Sequence, residues 1–207
     1  MFPILRVNPE ALIGDEQLGS KSKFWFAREN DELWLFKLAR DNTGEDWAEK
    51  VAAEIARHVQ VDAATVELAD YFGRRGSASL SFVGPTESLV HGNEILASHI
   101  FGYDRQKKLK QSDHTFDNIV AAIRKLVADT DWYHEVLKDL APFLVLDALV
   151  CNTDRHHENW GFLMNSEDSL GGVKKKTIRI APSFDHASSL GRELLDDLAN
   201  NHLAANG

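Results

Sequence analysis

Residues 143–161 constrain the chain more than any other stretch. Eight mostly apolar residues, 143–150, run directly into a dense polar cluster: Asn152, Thr153, Asp154, Arg155, His156, His157, Glu158 and Asn159. An apolar element of that kind must be anchored in a core, so the polar cluster is held wherever the anchor ends. Downstream, residues 178–186 read as a short strand that delivers one more carboxylate, Asp185. Any fold for this chain has to bring an apolar helix, a polar loop and a strand end into one scaffold.

The length, 207 residues, allows one large domain or two small lobes with a buried core. Hydrophobic residues at 43% and charged residues at 27% describe an ordinary soluble globular protein. A net charge of −9 counts against a broad electrostatic footprint for nucleic acid, so no direct nucleic-acid binding is expected. The single cysteine, Cys151, excludes an internal disulfide framework and fits a reducing compartment. No apolar run approaches the roughly 20 residues of a membrane span. The N-terminus lacks the charged-then-apolar pattern of a signal peptide. The expectation is a soluble, cytoplasmic protein that makes no membrane contact.

Residues 1–17 read as a strand and a turn, with Pro3, Pro9 and Gly14 as breakers. Residues 18–27 and 33–39 are aromatic-rich β segments joined by a polar hairpin at 28–32. A helix is predicted over 45–60, with Thr43 and Asp46 as a capping box and Trp47, Val51, Ile55 and His58 or Val59 as its apolar stripe. Residues 66–72 and 78–83 read as strands around the turn 73–76. Composition shifts at Gly84 and Pro85, which predicts an inter-lobe hinge there, with lobes 1–83 and 84–207. Beyond it, 88–100 reads as a loop and a short helix. Residues 115–128 read as a helix with Phe116, Ile119, Val120, Ile123 and Val127 in helical spacing. Residues 131–140 form another, and Pro142 sits at the first turn of the next. Residues 162–164 and 173–181 pair around the polar stretch 165–172, and a last helix is predicted over 188–198. The fold class is α+β, strands dominating before the hinge and helices after it.

Each candidate site residue has an ordinary structural reading. Asp154 after Asn152 and Thr153 is good turn chemistry, Asn159 suits a turn, and Asp185 could cap the helix after it. The joint pattern is harder to dismiss. An Asp, an Asn five positions on, and a later strand-end Asp is the spacing of phosphoryl-transfer sites, where the first accepts the proton of the attacking hydroxyl and the others hold magnesium. Magnesium takes hard oxygen ligands and only one or two carboxylates. His156, His157 and Glu158 raise a zinc alternative, but adjacent histidines point in different directions. His156 reads instead as a group that holds the loop around Asp154. Lys37 ends an apolar strand, so it either reaches water or is held by a carboxylate, with Glu49 and Glu54 as candidates on the following helix. The loop of Gly19, Ser20, Lys21, Ser22 and Lys23 lies between strands, so it is no Walker loop, although its backbone could approach phosphates. The basic runs Lys107, Lys108, Lys110 and 174–176 read as solvated faces.

These residues resemble the HipA-like serine/threonine kinases of bacterial toxin–antitoxin modules. The resemblance rests on 152–159, on 181–185, on Glu49 followed by Ile55, Ala56 and Arg57, and on Gly19, Lys21, Lys23 and 79–83. It spans residues 17–190. It implies a two-lobed, protein-kinase-like fold that binds ATP and Mg2+ in a cleft. Asp154 would be the catalytic base, assisted by His156, with Asn159 and Asp185 on the metal. Lys37 would contact the phosphates, with Glu49 preferred over Glu54 as its partner. Gly19, Ser20, Lys21, Ser22 and Lys23 would cover the nucleotide, and Ser81, Phe82 and Val83 would meet adenine. Family members can phosphorylate their glycine-rich loop, which makes Ser20 and Ser22 candidate autophosphorylation sites. A protein substrate and an antitoxin partner are implied. Longer members carry an N-terminal subdomain and further helices after the second Asp, so a C-lobe trimmed at its C-terminus is expected. Outside that resemblance, a small-molecule or lipid kinase, a catalytically silent nucleotide- or partner-binding module, and a metal-dependent phosphoesterase remain as readings.

Overall fold

The aromatic segments of the N-terminal third form the hairpin their alternation predicts: β3 (Lys23–Ala27) pairs antiparallel with β4 (Leu33–Leu38). The computed structural model describes residues 2–15, 23–28, 31–107, 110–127, 130–168 and 174–192. Phe24, Phe26, Trp34 and Phe36 alternate inward and are almost fully buried, with Val7, Ala69 and Ala78 completing their cluster. Phe24 and Phe36 stack with ring centroids 5.0 Å apart. Period-two alternation puts Leu35 and Lys37 on the other face of β4. The remaining strands are β1 (Ile4–Arg6), β2 (Leu12–Asp15), β5 (Val66–Tyr71) and β6 (Arg74–Leu80). They complete a six-stranded sheet in the order β1-β5-β6-β4-β3-β2, parallel only between β1 and β5. The turn joining β5 to β6 is tighter than the sequence suggests. Phe72 and Gly73 both take positive φ, 52° and 78°, the two-residue geometry that matches strand twist.

Helix α1 (Glu45–His58) packs on β5 and β6. Its start and its buried face both differ from expectation. The N-cap is Gly44, which has no side chain to cap with, while Thr43 Oγ1 donates to the Arg40 carbonyl and Asp46 pairs with Arg75 at 2.8 Å instead of forming a capping box. The buried face is Ala48, Ala52, Ala53 and Ala56, while Trp47 is 40% and Val59 45% exposed. Small side chains let the helix lie close to the sheet. The charged residues that share the buried face, Glu45, Glu49 and Lys50, are all ion-paired.

Beyond Leu80, strand β7 (Glu87–His91) replaces the loop expected there and leads into α2 (Gly92–His99). Its short mixed pattern hides the strand, but it pairs with β8 (Gly161–Asp168), which pairs in turn with β9 (Lys174–Ile180). Helix α3 (Phe116–Leu126) is capped by Thr115, whose side chain accepts the Asn118 N–H at 3.2 Å, and it packs on α2. Helix α4 runs unbroken from Thr130 to Leu149, through Pro142 rather than starting beside it. One buried stripe, Tyr133, Val136, Leu140, Phe143, Leu146 and Val150, continues across the proline. Packing along that stripe offsets the one backbone bond the ring removes. The apolar run 143–150 is therefore only half anchored: Leu144, Val145 and Leu149 are 49%, 67% and 55% exposed.

The chain divides into two compact units. The first comprises Met1–Ser81, Asp147–Thr153 and Asp185–Gly207; the second comprises Phe82–Leu146 and Asp154–Phe184. Among the described residues no helix is long and apolar enough to cross a membrane.

Candidate functional site

In the first unit, β4 and α1 converge on Lys37. Its Nζ donates to Asp185 Oδ1 at 3.1 Å and lies 4.0 Å from Glu49 Oε2. Glu49 is 1% exposed, and its Oε1 accepts the His186 N–H at 2.9 Å. Glu54, the other candidate, turns away to Lys50 at 2.8 Å and to Arg57, whose hydrogen bonds hold its carboxyl below the usual range. Burial alone would lower the Lys37 pKa, but the negative charges of Asp185, Glu49 and Glu45 outweigh it and hold the ammonium protonated well above neutral pH. Asp185 itself sits in the left-handed region at φ 60°. For a residue other than glycine that conformation costs about 1 kcal/mol, so the surrounding bonds must hold it.

The first unit also contains the end of α4. Cys151 takes φ 51°, and the Asn152 N–H reaches the Asp147 carbonyl at 2.8 Å, which closes the helix with a Schellman-type turn that has no glycine. The Thr153 N–H then donates to the Ser188 carbonyl at 3.1 Å, and the Leu190 N–H to Val150 at 2.8 Å. Residues 188–192 form turns rather than the expected start of a helix, and 193–198 lie outside the described residues.

In the second unit, loop 154–159 is held by amide, imidazole and backbone groups and by one guanidinium, that of Arg155. Asn159 is 5% exposed; its Nδ2 donates to the Asp154 carbonyl at 2.7 Å, and among the described residues no hydrogen bond reaches its Oδ1. That leaves a fixed carboxamide oxygen of the hard kind magnesium accepts, and Asp185 offers a carboxylate of the same kind. Among the described residues no three His, Cys, Asp or Glu side chains converge as a metal-ligand set. His156 Nδ1 accepts the Glu158 N–H at 3.1 Å, which folds the loop on itself. His157, 1% exposed, meets the Tyr103 hydroxyl at 2.7 Å through Nδ1. Trp160 Nε1 donates to His114 Nε2 at 3.1 Å. Burial, and then the neighbouring His157 and His156, push the His114 pKa down to about 4, so it accepts that bond as a neutral ring. Burial, with Asp113 nearby, raises the Tyr103 phenol to about 12. The backbone of the loop is stitched to α2 as well, Asn93 N–H to His157 O at 2.8 Å and Gly92 N–H to Trp160 O at 2.9 Å.

Arg155 is the residue in this loop that sequence reading passed over. Its Nη1 donates to the Asn159 carbonyl at 2.6 Å and the Phe184 carbonyl at 2.9 Å, and its Nη2 to Ser183 Oγ at 3.1 Å. One guanidinium therefore joins the loop to the residue just before Asp185. Its position beside Asp154 was the available signal; the carbonyls it serves could not be foreseen. Tyr103 and His114 carried no signal at all, lying 54 and 46 residues before their partners.

The expected nucleotide-covering residues Gly19, Ser20, Lys21 and Ser22 lie outside the described residues; Lys23 opens β3, in register with Lys37. Strand β6 ends at Leu80. Ser81 extends the ladder by one bond, its N–H to the Leu33 carbonyl at 2.8 Å, while Phe82 and Val83 continue outside any strand.

Residues 15–205 match the HipA-like C-terminal domain. Among solved structures, the proinflammatory kinase CtkA of Helicobacter pylori aligns with a TM-score of 0.72 at 22% identity, over 98% of this chain and 65% of that one. HipA of Shewanella oneidensis MR-1, solved in a toxin–antitoxin complex with HipB and operator DNA, aligns with a TM-score of 0.57 at 15% identity, over 88% and 45%. The chain thus spans about two thirds and under half of these proteins. No curated protein matches the chain. The shared architecture is the mixed α+β, kinase-like fold. The match over nearly the whole length shows that the chain belongs to the HipA-like C-terminal domain family.

Proposed function

We propose that the chain is a cytoplasmic ATP- and magnesium-dependent kinase that transfers the γ-phosphoryl group to a serine or threonine hydroxyl of a protein. The observation that carries this reading is the grouping of Lys37, Glu49 and Asp185 in the first unit. Drawing a buried glutamate, a largely buried lysine and a half-buried aspartate together from a helix, a strand and a distant loop is a poor way to gain stability. It is what a phosphate-binding lysine and a metal-binding carboxylate require.

The residue roles are proposed on this basis. Lys37 contacts nucleotide phosphates, fixed by Glu49, and Asp185 and Asn159 hold magnesium. The metal supplies neutralisation of the charge on the phosphate oxygens. Asp154 orients the acceptor hydroxyl and takes its proton as the oxygen–phosphorus bond forms and the bond from the γ-phosphorus to the β–γ bridging oxygen breaks. His156 supports the loop that presents Asp154. Residues 1–83 serve nucleotide binding, with Gly19, Ser20, Lys21, Ser22 and Lys23 over the phosphates and Ser81, Phe82 and Val83 at adenine. Residues 84–207 serve catalysis. Ser20 and Ser22 are the proposed autophosphorylation sites, and an antitoxin-type protein is the proposed partner, by analogy with the HipA complex.

Intact-mass analysis after incubation with magnesium–ATP tests this. The expected result is a gain of phosphate that Asp154→Ala abolishes, a loss of about 10³-fold or more in rate, while nucleotide affinity changes little. Turnover near wild type in that variant removes Asp154 from its role. Magnesium–ATP binding with no transfer to the chain or to offered proteins marks a silent nucleotide-binding module instead.

A further inference from the structure

Two glutamates one turn apart on α1 enter the interior of the first unit, and the kinase reading uses only one. Glu45 is 3% exposed; its Oε1 lies 3.5 Å from Arg192 Nη1 and 3.7 Å from Arg40 Nη1, and its Oε2 accepts the Arg40 N–H at 3.1 Å. Arg40 is largely exposed, whereas the Arg192 side chain is 12% exposed. The Arg192 guanidinium is also fixed from behind, with Nε donating to the Ala187 carbonyl at 2.9 Å and Nη2 to Ser188 Oγ at 2.6 Å.

Segment 185–192 is therefore held to the same helix at both ends. Near its start, Asp185 bonds Lys37 and the His186 N–H bonds Glu49; at its end, Arg192 meets Glu45. Between them, Asp185 and Leu190 both occupy the left-handed region, at φ 60° and 59°. A segment with two such residues does not hold its course on intrinsic preference. A buried guanidinium that bonds both the segment and the helix supplies the constraint. Of the seven bonds and ion pairs named here, five have neither partner within the proposed reaction, so the pair acts on chemistry only through Asp185.

We propose that Arg192, through Glu45, is a positioning residue that sets the register of Asp185 against α1 for magnesium-dependent phosphoryl transfer. This rests on the kinase reading, in which Asp185 holds the metal. The pair is a second clamp, one helical turn from Glu49, and it keeps the segment in place when magnesium–nucleotide draws Lys37 off Asp185.

The test compares Arg192→Met, Arg192→Lys and the paired Glu45→Gln/Arg192→Met variant. The measurements are calorimetric affinity for a non-hydrolysable ATP analogue with magnesium and with EDTA, kcat, and hydrogen exchange at the His186 amide. Arg192→Met is expected to weaken magnesium-dependent affinity and lower kcat by about 10-fold or more, leaving affinity in EDTA within about twofold; Arg192→Lys restores most of the loss. Should Arg192→Met fail to fold, the paired variant, which removes both buried charges, carries the same expectation. Wild-type magnesium dependence in a folded variant overturns the proposal. Equal losses with and without magnesium also overturn it, because they mark a purely structural pair. If the wild-type chain binds no nucleotide, the kinase reading fails separately. Exchange then decides the clamp: faster exchange at His186 with unchanged protection in β3–β6 supports it, and unchanged exchange at His186 sinks it.

Discussion

The two units hold their candidate site residues by opposite means. In the first, Lys37, Glu49 and Asp185 are joined by charge across up to 148 residues of chain. In the second, loop 154–159 is held by imidazole rings, a phenol, an amide and backbone bonds around His157, and by the Arg155 guanidinium on two carbonyls and a serine hydroxyl. Charge pairs respond to anything that brings charge, including a metal-bound triphosphate, so the first arrangement is built to be exchanged. Bonds to carbonyls, a hydroxyl and an amide exchange less readily with such a ligand, so the second arrangement stays put. On the proposed reading, the groups that must release and regrip lie in one unit, and the group that must hold still lies in the other.

The largest effect that can break this comparison comes from Glu49→Ala. It strips Lys37 of one partner and leaves the buried His186 N–H without its acceptor, so a loss of about 3 kcal/mol is expected in urea unfolding. A loss below about 1 kcal/mol would mean the charges are already well solvated. Tyr103→Phe deletes one neutral bond to His157 and is expected to cost about 1–2 kcal/mol, with no change in salt dependence. The finest test is pH. His114 has its folded pKa lowered to about 4 from 6.5, so the unfolded chain takes up the proton first as the solution is acidified. Its contribution is complete above about pH 6.5 and is lost as pH falls toward 4. Replacing His114 with Gln, which keeps an acceptor for Trp160 but does not titrate, should flatten stability between those values. An unchanged acid slope would place the titrating group elsewhere.

Much of the frame was legible because it depends on local periodicity. The aromatic alternation of β3 and β4 and the spacing of α3 are short-range patterns, and the structure follows them. Trp47, Val51 and Ile55 misled for a physical reason: α1 buries small and ion-paired residues, and neither smallness nor a distant partner registers as hydrophobicity. Pro142 misled because a continuous buried stripe outweighs one missing bond. Lys37 could be named because a charge next to an apolar strand demands a partner; that argument left Glu49 and Glu54 both open, and only the family resemblance preferred Glu49. Arg155, Arg192, Tyr103 and His114 could not be named, since each makes at least one bond with a residue the chain brings near only on folding.

The alanine seat of α1 has a mechanical consequence. Ala48, Ala52 and Ala56 are wholly shielded, and none has a side-chain torsion with which to adapt. An extra methyl group at Ala52 would have to be taken up by a shift of the helix backbone against the strands. Glu45 and Glu49 share that helix, so a change far from any reacting atom would disturb the grip on Lys37 and on Arg192 together.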